Sequence, residues 1–263
     1  MGTVAAASPS TETTFLAIGD VHGHWESVIQ ALEVAGAVLG RAPDAVLQVG
    51  DASPYRNESE MLMSHVPSKY RTMGTFAALR SGDLAAPVYF IGGNHEPYEA
   101  LDQTEGPYPV PWGDNVYYLG RAGAASIENL NLAWLSGIEG GEMLPIRGTS
   151  KKERSYYLEC EIEAAIEQGQ ALGGIDVLIT HDWPSGIIDG VGKALIRVLI
   201  EELKPKLQVC GHMHTFYEAT IGDTMVHALN AVPPAVRGRD RYGWWRLYST
   251  GSDGSIRCIA VGS

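Results

Sequence analysis

Three observations in the sequence predict an α/β fold. Short apolar runs alternate with amphipathic stretches, several of those runs are rich in Val and Ile, and many end in Gly, Asp, Asn or His. Apolar runs of this kind are strands buried on both faces of a sheet, and amphipathic stretches are the helices that cover it. In chain order the predicted strands are Thr14–Ile18, Ala45–Val49, Pro87–Ile91, Asn115–Leu119, Ala124–Ile127, Leu130–Leu135, Ile175–Ile179, Lys206–Val209, Thr224–Asn230, Arg246–Ser249 and a last one near Ile256–Val261. Apolar residues recur at three and four over Trp25–Leu39, Ser68–Arg80, Ser155–Gln170 and Lys193–Lys204, which predicts helices there. Pro205 stops the last of them, since it lacks an N–H and its ring clashes with the preceding turn. Fewer helices separate the later strands, so a second, more antiparallel sheet is expected to pack on the first. Met1 to Thr14 are small and polar and read as a flexible leader, with one domain over residues 15–263.

Composition narrows the function. Nineteen basic against thirty-one acidic residues give a net charge of −12, which argues against strong duplex nucleic-acid binding driven by charge. An acidic chain also suits one whose carboxylates bind cations. Three widely spaced cysteines suggest neither a disulfide framework nor a zinc knuckle. No window has the roughly 20 apolar residues that cross a bilayer, and no basic-then-apolar leader is present, so a cytoplasmic protein without a membrane partner is expected. Glu139–Arg154, with Arg147, Lys151, Lys152 and Arg154 among Gly and Ser/Thr residues, reads as a mobile loop. It and the Arg237–Arg241 cluster are basic patches that a short RNA would use, if they are more than solvated surface. Trp244 and Trp245 read as sheet packing before base stacking.

The polar strand ends carry the chemistry. One apolar run leads into Gly19, Asp20, Val21, His22, Gly23 and His24, a second into Gly50 and Asp51, and a third into Gly92, Gly93, Asn94, His95 and Glu96. Another leads into Gly211, His212, Met213 and His214, and the run at Val177 leads into His181 and Asp182. Residues just beyond the carboxyl ends of different strands converge in an α/β sheet. Carboxylate and amide oxygens with imidazole nitrogens, and no thiolate, suit Mn, Fe or Zn. Such donors are too many for one ion. Two divalent ions about 3.5 to 4 Å apart, sharing a carboxylate, are the arrangement of hydrolases that attack phosphorus. Glu96 and Asp182 fit partners that orient ligand imidazoles. Any one of these residues alone would read as a cap or turn former, but five such loops together point to a metal site.

This order of motifs resembles the calcineurin-like metallophosphoesterase superfamily, and within it the catalytic domain of RNA lariat debranching enzymes. The segments Arg56-Asn57-Glu58, Pro67 to Met73, Ser81 to Pro87, Asn115 to Gly120 and His181 to Pro184 carry the second likeness. The resemblance implies a four-layer α-β-β-α sandwich with two packed mixed sheets. It also implies one metal on Asp20, His22 and His214, a second on Asn94, His181 and His212, and Asp51 as the bridge. It makes His95 the acid that protonates the leaving oxygen without binding metal, and Arg56 a phosphate clamp, whose alternative is a salt bridge to a neighbouring acid. The reaction expected is attack on a nucleotide or RNA phosphodiester by hydroxide bridging the metals. Debranching enzymes usually carry Cys where Asp20 stands and continue further, so the likeness to the scaffold is stronger than the case for a branched-RNA substrate, which stays open. Two alternatives stay open: a phosphomonoesterase or phosphatase on the same scaffold, and a catalytically silent metal-binding module. Gly50 and Asp51 lack the Asp-Arg-Gly continuation of protein phosphatases, which weighs against that branch.

Overall fold

The structure is a computed structural model that describes residues 12–68, 71–111, 113–141, 145–233 and 241–263. The chain runs β1 (Thr14–Ile18), α1 (Trp25–Leu39), β2 (Ala45–Gln48), α2 (Glu58–Met63), β3 (Val88–Phe90), α3 (Tyr98–Leu101), β4 (Tyr108–Pro109), β5 (Val116–Tyr118), β6 (Ala122–Ile127) and β7 (Leu130–Leu135). It continues through α4 (Glu159–Ala171), β8 (Val177–Thr180), α5 (Ala194–Leu203), β9 (Leu207–Cys210), β10 (Tyr217–Ile221), β11 (Thr224–Ala228), β12 (Trp245–Thr250) and β13 (Ile256–Val261). Two mixed sheets result, one in the order β13-β12-β1-β2-β3-β5-β4 and the other β10-β11-β9-β8-β7-β6.

The layers follow from the two-residue side-chain period of the central strands. Leu16 and Ile18 of β1, with Val46 of β2 and Val88 and Phe90 of β3, pack with Trp25, Val28 and Leu32 of α1. The alternate residues Phe15, Ala17 and Leu47 meet Leu132, Val177, Ile179, Leu207 and Val209 of the second sheet. The far face of that sheet, through Ala133, Leu178 and Val226, is covered by Ile162 and Ala165 of α4 and Leu199 and Ile200 of α5. Helix, sheet, sheet, helix is the expected four-layer sandwich. Burial on both faces explains why these strands are Val- and Ile-rich instead of alternating apolar with polar.

Several expectations need correction. Of the helix predicted at Ser68–Arg80, Lys69 and Tyr70 lie outside the described residues, and over 71–80 only a 3-10 turn at Phe76–Ala78 forms. Gly74 sits at φ 63 with its Cα against Gly23, and a Cβ there would meet the Gly23 oxygen at 2.3 Å. That left-handed residue breaks the helix where the apolar period ran on. The second sheet is also no more antiparallel than the first. β11, β9, β8 and β7 pair in parallel, and β12 and β13 return to the first sheet beside β1. Short elements at α2, α3 and β4 carry too few residues to show a period, and β10, largely exposed, lacks an apolar run. β1 begins at Thr14, inside the expected leader, whose residues 1–11 lie outside the described set.

Arg237 to Asp240 of the second basic cluster also lie outside it. In the first cluster Arg147 pairs with Glu161 and the Tyr156 carbonyl, and Lys151 donates to the Leu62 carbonyl, so parts of that loop are tied to the body. Trp244 and Trp245 are buried in the core beside α1, as their packing reading required. Among the described residues no helix is long and apolar enough to cross a membrane.

Candidate metal centre

β1, β2 and β3 lie side by side and parallel in the first sheet, β8 and β9 in the second. Their carboxyl ends bring Asp20, Asp51, Asn94, His181 and the His212–His214 loop to one place. Asp20 and Asp51 are almost wholly buried, at 0% and 1% exposure. Among the described residues, every ion-pair partner of these two carboxylates within 4.0 Å is a histidine.

Two sets of donors can be separated. In the first, Asp20 Oδ2 lies 3.0 Å from His214 Nε2 and 3.9 Å from His22 Nε2, and the two imidazole nitrogens face each other at 2.9 Å. In the second, His181 Nε2 lies 3.5 Å from Asp51 Oδ2 and 3.3 Å from Asn94 Oδ1. Ligands about 2.1 Å from one cation sit about 3 to 3.5 Å apart across a coordination edge, so each set has the spacing of a metal shell. Asp51 Oδ2 also lies 3.9 Å from His22 Nδ1, which puts this carboxylate against both sets. His95 joins it through Nδ1 at 3.5 Å. His212 packs on the His181 ring at 4.9 Å between centroids, while its backbone N–H donates to both Asp20 oxygens at 3.0 and 3.1 Å. All seven expected metal residues and His95 are thus brought together.

The electrostatics call for cations. Burial alone would raise the Asp51 carboxyl, but the surrounding imidazoles of His95, His181 and His22 hold it well below the usual range. Burial likewise opposes a charged His181, yet Asp51 and Asp20 push it up to about 10. His22, by contrast, is driven by burial down to about 4. Without a metal, the carboxylates recruit a proton onto the buried histidine whose nitrogen they need as a ligand. A divalent cation satisfies the same field and frees that nitrogen, so the oxygen-and-nitrogen donor set fits a hard or borderline metal.

Supporting groups fix the donors. His181 Nδ1 lies 2.9 Å from the Val49 carbonyl, which can only accept, so Nδ1 carries a proton and Nε2 is the nitrogen turned to the site. Glu96 accepts from the backbone N–H groups of Ala52 at 2.6 Å, Ser53 at 3.3 Å and Gly93 at 2.8 Å, tying two of the loops together. Burial and the nearby Asp51 push this carboxyl up to about 8. Asp182 accepts from the Glu139 N–H at 2.7 Å and comes within 3.8 Å of His212 Nε2. Three buried aromatics missed by the sequence reading tether the loop backbone: Tyr55 donates to the His95 carbonyl at 2.7 Å, Tyr98 to Gly93 at 2.6 Å and Trp183 to Gly211 at 2.6 Å. No periodicity marks them, although Tyr55 stands out as a large apolar residue in a polar loop.

The backbone is strained here. Nine described residues other than glycine have positive φ, and His22, Asp51, Ser53, His212 and His214 are among them. Such conformations cost about 1 to 3 kcal/mol each and persist where a site demands them. Gly93 shows the crowding: a Cβ would come within 2.2 Å of Asp51 Oδ1 and 2.7 Å of His181 Nε2. Arg56 makes a salt bridge of the kind weighed for it: the buried Glu60 holds its guanidinium and accepts its backbone N–H at 2.9 Å.

Residues 13–216 match the family described as calcineurin-like phosphoesterase. The chain belongs to that family. Calcineurin-like phosphoesterases are metal-dependent phosphoester hydrolases, in keeping with the donors just described. The lariat debranching enzyme of Drosophila melanogaster is 35% identical over 185 residues, covering 67% of this chain and 34% of its own length. The Homo sapiens lariat debranching enzyme is 31% identical over 230 residues, or 76% of this chain and 42% of its own length. The chain therefore spans less than half of either relative. In fold it is similar to the Thermus thermophilus protein TT1561, with a TM-score of 0.54 at 14% identity over 94% of this chain and 98% of that one. GAP50 of Plasmodium gives 0.55 at 10% identity, over 96% of this chain and 90% of that one.

Proposed function

We propose that this calcineurin-like phosphoesterase is a dinuclear phosphodiesterase acting on a nucleotide or RNA phosphodiester. The observation that carries the reading is the position of Asp51, whose Oδ2 faces His181 of one donor set at 3.5 Å and His22 of the other at 3.9 Å. A carboxylate so placed is the natural bridge between two cations. Asp20, His22 and His214 would hold one and Asn94, His181 and His212 the other. When bound, the ions acidify water and neutralise the phosphate.

The chain's own residues do the rest. His95 is anchored at both ends of its peptide unit, by its N–H to Asp51 Oδ1 at 2.8 Å and by its carbonyl to the Tyr55 hydroxyl. Its Nδ1 faces Asp51 and its ring is 21% exposed, so Nε2 is left to face the substrate. As a hydroxide oxygen bonds to phosphorus and the opposite P–O bond breaks, Nε2 delivers the proton that the leaving oxygen needs. The similarity to debranching enzymes, which gives the diester its preference over the monoester, supports the same reading.

His95→Ala tests it. Elemental analysis should still find two metals per chain, while hydrolysis of bis-p-nitrophenyl phosphate with Mn, Fe or Zn drops about 10²- to 10⁴-fold. A variant as fast as its parent, or a parent that cleaves p-nitrophenyl phosphate in preference to the diester, would overturn the assignment.

A further inference from the structure

Beside the metal centre lies a cleft enclosing about 430 Å³, its open mouth included, lined by Pro54, Arg56, Glu60, Pro97, Ala100 and Tyr108 among others. The enclosed part is far smaller, about 80 Å³, room for a few waters or one flat ring. Its walls are direct continuations of the two loops that carry the bridging carboxylate and the acid. Pro54 follows Asp51 by three residues and Pro97 follows His95 by two, which caps the Cα separations at about 11 and 7 Å. Glu96 joins the same two loops by accepting from Ala52, Ser53 and Gly93, so the walls and the site are held as one unit.

The lining has two characters. Proline rings, Ala100, Leu101 and the face of Tyr108 offer flat apolar surface, and the Tyr108 hydroxyl is kept out of the way by its bond to the Leu101 carbonyl at 2.7 Å. Glu60, 5% exposed, and the Arg56 guanidinium it holds put a fixed acceptor and donor pair in the same wall. A planar, neutral group with polar edges suits both. In a chain of net charge −12, a neutral ring attached to a single phosphate at the cations is also better accommodated than a polyanionic strand.

Resting on the phosphodiesterase reading, we infer that this cleft seats the base of the nucleoside attached to the scissile phosphate. Arg56 then serves the nucleoside and not the phosphate. The cleft makes the enzyme discriminate nucleotidyl diesters from aryl diesters that the metal centre alone would treat alike.

The test fills the cleft. Ala100 lies half-buried on α3, so Ala100→Trp occupies the space, and the milder Ala100→Leu guards against a variant that fails to fold. Calorimetric titration of the metal-loaded full chain with adenosine 5′-monophosphate and with inorganic phosphate should show the nucleotide binding at least about tenfold tighter in the parent, the scale of one stacked base. In the variants that preference should shrink towards one, as should the kcat/KM ratio of an adenylyl dinucleotide over bis-p-nitrophenyl phosphate. Equal binding of nucleotide and phosphate by the parent, or a preference that survives in both folded variants, overturns the inference. A parent that prefers the nucleotide, loses the preference on filling and hydrolyses neither diester would leave the cleft standing and sink the phosphodiesterase reading instead.

Discussion

Two buried polar clusters in this protein are built on opposite principles. Between the sheets, where β10 and β11 meet β12, Arg246 Nη1 reaches Glu218 at 2.6 Å and its guanidinium lies 5.4 Å from the Phe216 ring and 5.8 Å from the Tyr248 ring. His227 Nδ1 completes the group at 2.8 Å from the Tyr248 hydroxyl. Cation meets anion and ring, neutral imidazole meets hydroxyl, and none of these residues has a positive φ. In the metal centre two buried carboxylates meet only histidines, and the loops around them hold non-glycine residues at positive φ. One cluster neutralises itself and stabilises the fold. The other is left incomplete by the chain, and its strain is sustained for a ligand that arrives from outside.

Asp51→Asn breaks this contrast most sharply. The amide is nearly the same size but supplies no charge to cations, so metal affinity should collapse and kcat/KM should fall on the order of 10³-fold, the several kcal/mol expected of lost metal-assisted catalysis. With Mn present the parent gains from ligand binding and melts higher than the variant. In chelator that gain is gone, and the gap should narrow to what the loss of Asp51's contacts with His181, His22 and His95 costs. A gap that is the same in both conditions would make Asp51 a folding residue like Arg246.

The same contrast explains what the sequence revealed. Strand and helix patterns for β1, α1 and β7 were legible because each buries a run or a face of apolar residues. The site was legible because ligands cannot be exchanged for residues of similar hydropathy: Asp20, His22, Asn94 and His214 stand out wherever they occur. The helix expected at Ser68–Arg80 failed because Gly74 approaches Gly23, a contact between residues distant in sequence. Sheet membership of β12 was equally hidden, since nothing in Trp245–Thr250 says that its partner is β1 at the other end of the chain. The Arg246 cluster escaped for a related reason. Arginine and tyrosine on strands read as surface residues until two sheets close over Arg246 and Tyr248, with Glu218 left exposed at the rim.

Arg246→Met sharpens the comparison from the other side. The guanidinium is 6% exposed, and its removal forfeits an ion pair and two ring contacts while leaving the stem's packing largely in place. Unfolding in urea should show a loss of about 2 to 3 kcal/mol. Glu218→Gln should cost less, about 1 kcal/mol at most, because that carboxylate is 52% exposed and screened by water. Neither change should reduce metal content. A fall in bound metal on Arg246→Met would show that the two clusters are coupled through the sheets.

The last effect is a pH dependence. Burial, reinforced by the positive charge of Arg246 and only partly opposed by Glu218, lowers His227 from 6.5 to about 4. The unfolded chain therefore takes up a proton near pH 6.5 that the folded chain refuses until about pH 4. Stability from this residue is complete above pH 6.5, declines as the pH falls between those values, and is gone below the lower one. Down to pH 5 the loss should reach at most about 2 kcal/mol. It is read as the difference between the parent and His227→Gln, whose amide also reaches the Tyr248 hydroxyl and does not titrate, so the site histidines cancel. If both proteins lose stability in parallel between pH 6.5 and 5, His227 is already protonated in the fold. The inter-sheet cluster would then carry a surplus positive charge and would no longer be the self-neutralising partner of the comparison.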